Sequence, residues 1–135
     1  MKKTFLKNKK NIQFLIIGLG LIGGSLAKRL SKNGFEILAI EKNKSHLNYA
    51  KKSKILNGGL EKIDSTKKLF VIVALPPKIL LRNFDKYLDL FHKADFVTDC
   101  TSVKGSLLNK IKKNKLESKF ILSHPIAGSE KSGFM

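Results

Sequence analysis

The sequence predicts an α/β fold, with a doubly wound, mainly parallel sheet and helices on both of its faces. Three observations lead there. Short, nearly continuous apolar runs alternate with segments of helical periodicity, the pattern of strand–helix–strand units. The strongest run, residues 69–75 (LFVIVAL), has no polar position, as suits a strand buried on both sides. A glycine-rich turn, Gly18-Leu19-Gly20-Leu21-Ile22-Gly23, joins the first apolar run to the first helical segment.

Each element follows from local chemistry. Residues 12–17 form an apolar run that stops at Gly18, giving the first strand. Residues 21–32 place Ile22, Leu26 and Leu30 at helical intervals, and Asn33-Gly34 supplies the C-cap. Residues 35–40 form a second strand that ends at Glu41. Residues 44–54 are polar and moderately helical, and Asn57-Gly58-Gly59 breaks the chain after them. The strand at 69–75 is stopped by Pro76-Pro77, and prolines suit a helix start. Residues 79–91 then carry Leu80, Phe84, Leu88 and Phe91 as one helical stripe. A fourth strand over 94–98, a lysine-faced helix over 107–116 and a short strand over 120–122 complete the alternation. The remainder, 123–135, has little periodicity and reads as loop.

A chain of 135 residues suffices for one domain, and 42% hydrophobic against 27% charged residues argues against disorder. The net charge of +17 first suggests a nucleic-acid partner. Of the 27 basic residues, however, only Arg29 and Arg82 are arginines, and base and phosphate readers favour the arginine fork. The lysines are scattered, with no run interleaved by stacking aromatics. No nucleic-acid partner is expected; the lysines solvate the surface and attract anionic small molecules. The basic segment 1–10 followed by apolar residues has the outline of a secretory signal, but Gly18, Gly20, Gly23 and Gly24 would weaken its helix. It reads instead as a basic arm, with no membrane span and a cytoplasmic location. A single cysteine, Cys100, excludes an internal disulfide and a multi-cysteine zinc site, and it is expected to be a small buried side chain. No metal site is expected.

The glycine loop is the strongest functional signal, because it follows a strand and opens a helix. The first glycine, Gly18, permits the tight turn, Gly20 lets the backbone approach a pyrophosphate, and Gly23 allows close helix–strand packing. Leu21 and Ile22 complete the cofactor-facing turn, where unpaired N–H groups favour phosphate. Glu41, about 20 residues further on, is placed to accept from the ribose hydroxyls and to repel a 2′-phosphate. This predicts NAD rather than NADP, although Lys42 and Lys44 could hold a 2′-phosphate were Glu41 to turn away. Residues 11–135 therefore form a dinucleotide-binding domain. Ligands of such sheets sit beyond the carboxyl ends of the strands. Leu75 and Pro76 lie there, as do the segments 99–105 and 123–133. His124, beside Ser, Lys and Glu, suits acid–base chemistry. His46 and His92 read as surface residues.

Together G-L-G-L-I-G-G-S-L-A (18–27), D-C-T-S-V-K-G (99–105) and H-P-I-A-G-S-E-K-S-G (124–133) resemble the NAD-binding half of the prephenate dehydrogenases, a family that includes arogenate dehydrogenases. The resemblance runs from about residue 11 to the last. It implies a Rossmann fold and the oxidative decarboxylation of prephenate to 4-hydroxyphenylpyruvate, with hydride transfer to NAD, in tyrosine biosynthesis. It implies that His124 assists deprotonation of the substrate's ring hydroxyl and that Ser102 orients His124 or that hydroxyl. Lys104 would add positive potential toward the carboxylates, and Ser129 and Glu130 would line the substrate side. Family members continue into a helical domain that forms a homodimer and supplies an arginine for a substrate carboxylate. Neither Arg29 nor Arg82 is a natural replacement. The 135 residues alone are expected to bind NAD and to turn over poorly. The same residues leave open another NAD(P)-dependent dehydrogenase or reductase, and, in a different class, a non-catalytic nucleotide-sensing or nucleic-acid module.

Overall fold

A computed structural model describes residues 8–100 and 105–122. Five strands form one sheet: β1 (Ile12–Ile17), β2 (Glu36–Ile40), β3 (Lys68–Val73), β4 (Phe96–Asp99) and β5 (Phe120–Leu122). Their order is β2-β1-β3-β4-β5, and every pairing is parallel. The helices are α1 (Leu21–Lys32), α2 (Lys44–Lys52), α3 (Pro77–Asn83), α4 (Leu88–Lys93) and α5 (Gly105–Lys113).

Alternation along the strands sends side chains to two cores. Ile16, Ile37 and Ile72 face one way and pack with Ala27 of α1 and Ala50 of α2. Leu15, Ile17, Leu38, Val71 and Val73 face the other way, against Leu80, Phe84 and Phe91 and against Leu107 and Ile111 of α5. The sheet is thus doubly wound, a Rossmann-type arrangement. β1 is its switch point, because the chain adds β2 on one side of it and β3 on the other. A crevice must open there, beyond the carboxyl ends of β1 and β3.

The predicted elements are largely present, with informative differences. α1 spans the predicted residues, stopped by Gly34 at φ +87°. The segment 79–91 is not one helix. α3 ends at Asn83, a 3-10 turn follows over Phe84–Tyr87, and α4 resumes at Leu88. Neither proline nor glycine causes the break. Asn83 has φ −106° and ψ 10°, and its amide nitrogen donates to the Ile79 carbonyl oxygen (2.8 Å), the local competition that makes Asn a poor helix residue. The tighter turn still buries Leu80, Phe84, Tyr87 and Phe91. The end of the basic arm is folded: Lys9–Asn11 make a 3-10 turn, and the Lys9 ammonium donates to the Asn33 carbonyl oxygen and lies 5.3 Å from the Phe35 ring centroid. Among the described residues no helix is long and apolar enough to cross a membrane.

The apolar run of β1 conceals one buried polar side chain. Gln13 donates to Glu36 Oε2 and the Lys62 carbonyl oxygen (2.8 Å each), and its own carbonyl oxygen accepts from the Asp64 N–H (2.9 Å). It ties β2 and the approach to β3 to the amino end of β1.

Candidate functional site

The three loop glycines have different surroundings. Gly18 has φ +99°, and a Cβ there would lie 2.6 Å from the Ala74 carbonyl oxygen. A Cβ on Gly23 would lie 1.8 Å from the Gly18 carbonyl oxygen. Both are glycine because protein already occupies the space. Gly20 differs: nothing lies within 4 Å of its Cβ position. The protein gives no packing reason for a glycine there, whereas a ligand lying against the backbone would. Gly20 also N-caps α1 without a side chain, leaving the first-turn N–H groups unused by any cap.

The strand ends around this loop are held in register. The Gly18 N–H donates to the Ile40 carbonyl oxygen (2.9 Å), Ala74 to Ile17 (2.8 Å) and Cys100 to Val73 (3.0 Å). These bonds extend the sheet's ladder past β1 and β3, so the loops that bound the crevice start from fixed points.

Glu41, at the end of β2, is anchored. Its Oε1 accepts from the Leu19 N–H inside the glycine loop (2.5 Å), and its Oε2 accepts from the Asn43 N–H (2.8 Å). The Asn43 side chain in turn accepts from the N–H groups of Ser45 and His46 and caps α2. Turning Glu41 away would orphan two N–H groups, which counts against the route by which Lys42 and Lys44 would accept a 2′-phosphate. A carboxylate has about four lone-pair positions, so two remain for ribose hydroxyls.

Gly18, Gly20, Glu41, Leu75 and Pro76 meet around one cavity of about 330 Å³. Gly23 lies beneath it, packed on Gly18. Leu21 lines a neighbouring cavity of about 540 Å³ between α1 and α2, and Ile22 lines neither cavity. Ser102, Lys104, His124, Ser129 and Glu130 lie outside the described residues. The segment leading to Ser102 is anchored at its start: Asp99 is fully buried at the end of β4, and Cys100 is half-buried against the α1–α2 core. Among the described residues no cluster of three His, Cys, Asp or Glu could hold a metal ion.

Sequence reasoning did not assign Asn43, His46, Ile79, Asn83 and Tyr87 to this cavity, yet all five line it. His46 is exposed, as expected, but at the cavity's rim. The available signal was the placement of a helix straight after the Pro76-Pro77 stop: its residues 79, 83 and 87 recur at one-turn spacing.

Comparison with known proteins agrees with this geometry. A family model described as the prephenate dehydrogenase nucleotide-binding domain matches residues 26–135, beginning just past the glycine loop. A prephenate dehydrogenase from Lactococcus lactis subsp. cremoris (strain MG1363) is 34% identical over 131 residues, covering 91% of this chain and 36% of that protein. A crystal structure of prephenate dehydrogenase from A. aeolicus, in complex with hydroxyphenyl propionate and NAD+, is similar with a TM-score of 0.67 and 32% identity, covering 90% of this chain and 44% of that one. A Synechocystis arogenate dehydrogenase is similar with a TM-score of 0.66 and 28% identity, covering 84% and 40%. The chain therefore spans about a third of the curated relative and less than half of each solved one. The sheet order, the three distinct glycine environments and the family match over most of the sequence give one conclusion: the chain belongs to the prephenate dehydrogenase family and carries its nucleotide-binding domain.

Proposed function

We propose that the crevice at the carboxyl ends of β1 and β3 binds NAD, and that the domain serves a dehydrogenase acting on prephenate. The open space before Gly20, between two glycines whose own space is filled, carries this reading. The pyrophosphate would lie against Gly20 and the uncapped start of α1, where N–H groups and the helix dipole favour anions. Glu41, held by Leu19 and Asn43, would accept from the adenosine ribose hydroxyls with its remaining lone pairs. Leu75 and Pro76 would flank the nucleotide. Leu21 and Ile22 are 53% and 42% exposed and would meet ligand or further protein rather than core.

When bound, NAD supplies the hydride acceptor. The chain's own residues would position and deprotonate. On the motif resemblance, His124 accepts the proton of the ring hydroxyl, Ser102 orients that contact, and Lys104, Ser129 and Glu130 hold the substrate's polar groups. Loss of the ring carboxylate as carbon dioxide then completes aromatisation. Arogenate is the second reading, favoured by the likeness to the Synechocystis enzyme. A cytoplasmic location and a homodimer formed through further chain accompany this proposal.

Calorimetry with NAD and NADP tests it. Wild-type protein is expected to bind NAD and to bind NADP at least tenfold more weakly. Gly20→Val should fold normally, because its side chain enters empty space, and should lose NAD binding. A folded Gly20→Val variant with unchanged NAD affinity would refute the site.

A further inference from the structure

The two faces of the sheet are not covered alike. α1 and α2 pack on one face, while α3, α4 and α5 all pack on the other. A strand of a parallel sheet is ordinarily buried on both sides. On the α1 side β4 and β5 are not, because Phe96 is 45% exposed and Ile121 54%. The register sets both residues on that side. Phe96 pairs with Phe70, Phe70 with Phe14, and Phe14 packs against the α1–α2 core. Ile121 pairs with Thr98, two residues on from Phe96.

Phe35, Phe14, Phe70 and Phe96 form a row of edge-to-face rings across the sheet, with successive centroids 5.2, 5.4 and 5.5 Å apart. The described end of the basic arm lies along this row. The Lys9 ammonium sits over Phe35, at the β2 end. Asn8 borders a cavity of about 520 Å³ at the other end, together with Ile12, Phe70, Asp95 and Phe96. The chain that precedes Asn8 therefore starts beside the exposed ring. Residues 1–7 read Met-Lys-Lys-Thr-Phe-Leu-Lys, with an apolar pair, Phe5-Leu6, set among lysines. An arm that served only to be solvated would gain nothing from that pair.

We propose that residues 1–7 are the cover of this sheet face, with Phe5 packed on Phe96. The reach suffices. Three residues separate Phe5 from Asn8 and span up to about 10 Å, twice the distance between neighbouring strands. The charges agree as well. Asp95 Oδ1 is 3.8 Å from Lys68 Nζ, a distance that leaves room for a second ammonium, from Lys7. A free partner competes at a disadvantage, because a short tether holds its segment at an effective concentration of order millimolar.

The sequence contains no tryptophan, so Phe5→Trp in the 135-residue chain makes a single fluorescent reporter of this contact. Its emission in the native protein is expected to lie to the blue of its emission in guanidinium. Adding Phe96→Ser should move the native emission to the red, and circular dichroism establishes that the double variant is folded. Separately, removing residues 2–7 from the natural sequence should lower the denaturant midpoint, and should lower it much less when Phe96→Ser is already present. Native emission equal to that in guanidinium overturns the proposal. Blue emission that survives Phe96→Ser in folded protein overturns the assignment of the face. A blue shift that appears only as the protein concentration rises assigns the face to a second copy of the chain, and so overturns the proposal too. An unchanged midpoint on removal of residues 2–7 overturns it independently of the reporter.

Discussion

Tyr87 places a phenol among Phe84, Phe91 and the aliphatic core of one sheet face, its ring centroid 6.1 Å from that of Phe91. Burial disfavours the charged phenolate and raises its pKa above the ordinary value of 10.0. The sign follows. Above that value the unfolded chain releases the proton while the folded chain retains it, so the folded state binds more protons and stability falls with rising pH. Tyr49, the other tyrosine, is 63% exposed and can be removed cheaply. In Tyr49→Phe, tyrosinate absorbance should therefore rise at higher pH in the native protein than in guanidinium. Coincident titration curves would show that Tyr87 is not desolvated. The residue scale also shows where sequence reading stops. Glycine spacing located the loop, but it could not tell that protein fills the Cβ positions of Gly18 and Gly23 while that of Gly20 is open. Gln13 interrupts an apolar run for a reason visible only once β2 and the residue 62–64 turn are beside it.

At the scale of elements, α2 depends on its first residue outside the helix. Asn43 accepts from Ser45 and His46, so Asn43→Ala should cost about 1 kcal/mol, read as a lower denaturant midpoint at unchanged slope, and Asn43→Asp should restore most of it. The backbone N–H that Asn43 gives to Glu41 survives in both variants. NAD affinity should therefore change less than stability does. α1 was legible to the residue, because glycine chemistry marks both of its ends. The helix predicted over 79–91 was legible only as an apolar stripe. The break coincides with a side-chain bond between Asn83 and Ile79 that periodicity does not encode, and both residues line the cavity. The strand-end motifs identified the family, but their residues from 101 to 104 and beyond 122 fall outside the described structure. Their roles rest on the motifs alone.

For the whole molecule, the charge of +17 is carried almost entirely by lysine, and only two ion pairs join described side chains, Lys67–Glu36 (2.9 Å) and Lys68–Asp95 (3.8 Å). The hydrogen bond to Glu36 raises the Lys67 pKa above its ordinary value. Most of the surface potential is thus uncompensated and acts as a general attraction for anions. Such an attraction is screened by salt. Raising salt from about 50 to about 500 mM is expected to weaken NAD binding only a few-fold, because the specific contacts are short-range. A steep log–log loss of duplex DNA binding over that range, with NAD binding absent, would favour the nucleic-acid reading instead.

The position of β1 in the sheet has a kinetic consequence. Its register partners are distant in sequence on both sides, with Ile17 beside Ile40 and beside Val73. No hairpin can nucleate such a sheet, so each pairing pays loop-closure entropy before it gains contacts. During synthesis, β1, α1 and β2 can associate early. The crevice has no second wall until β3 and the turn through Leu75 have emerged and paired, so a chain cut before residue 73 would carry an intact glycine loop and nowhere to hold a nucleotide.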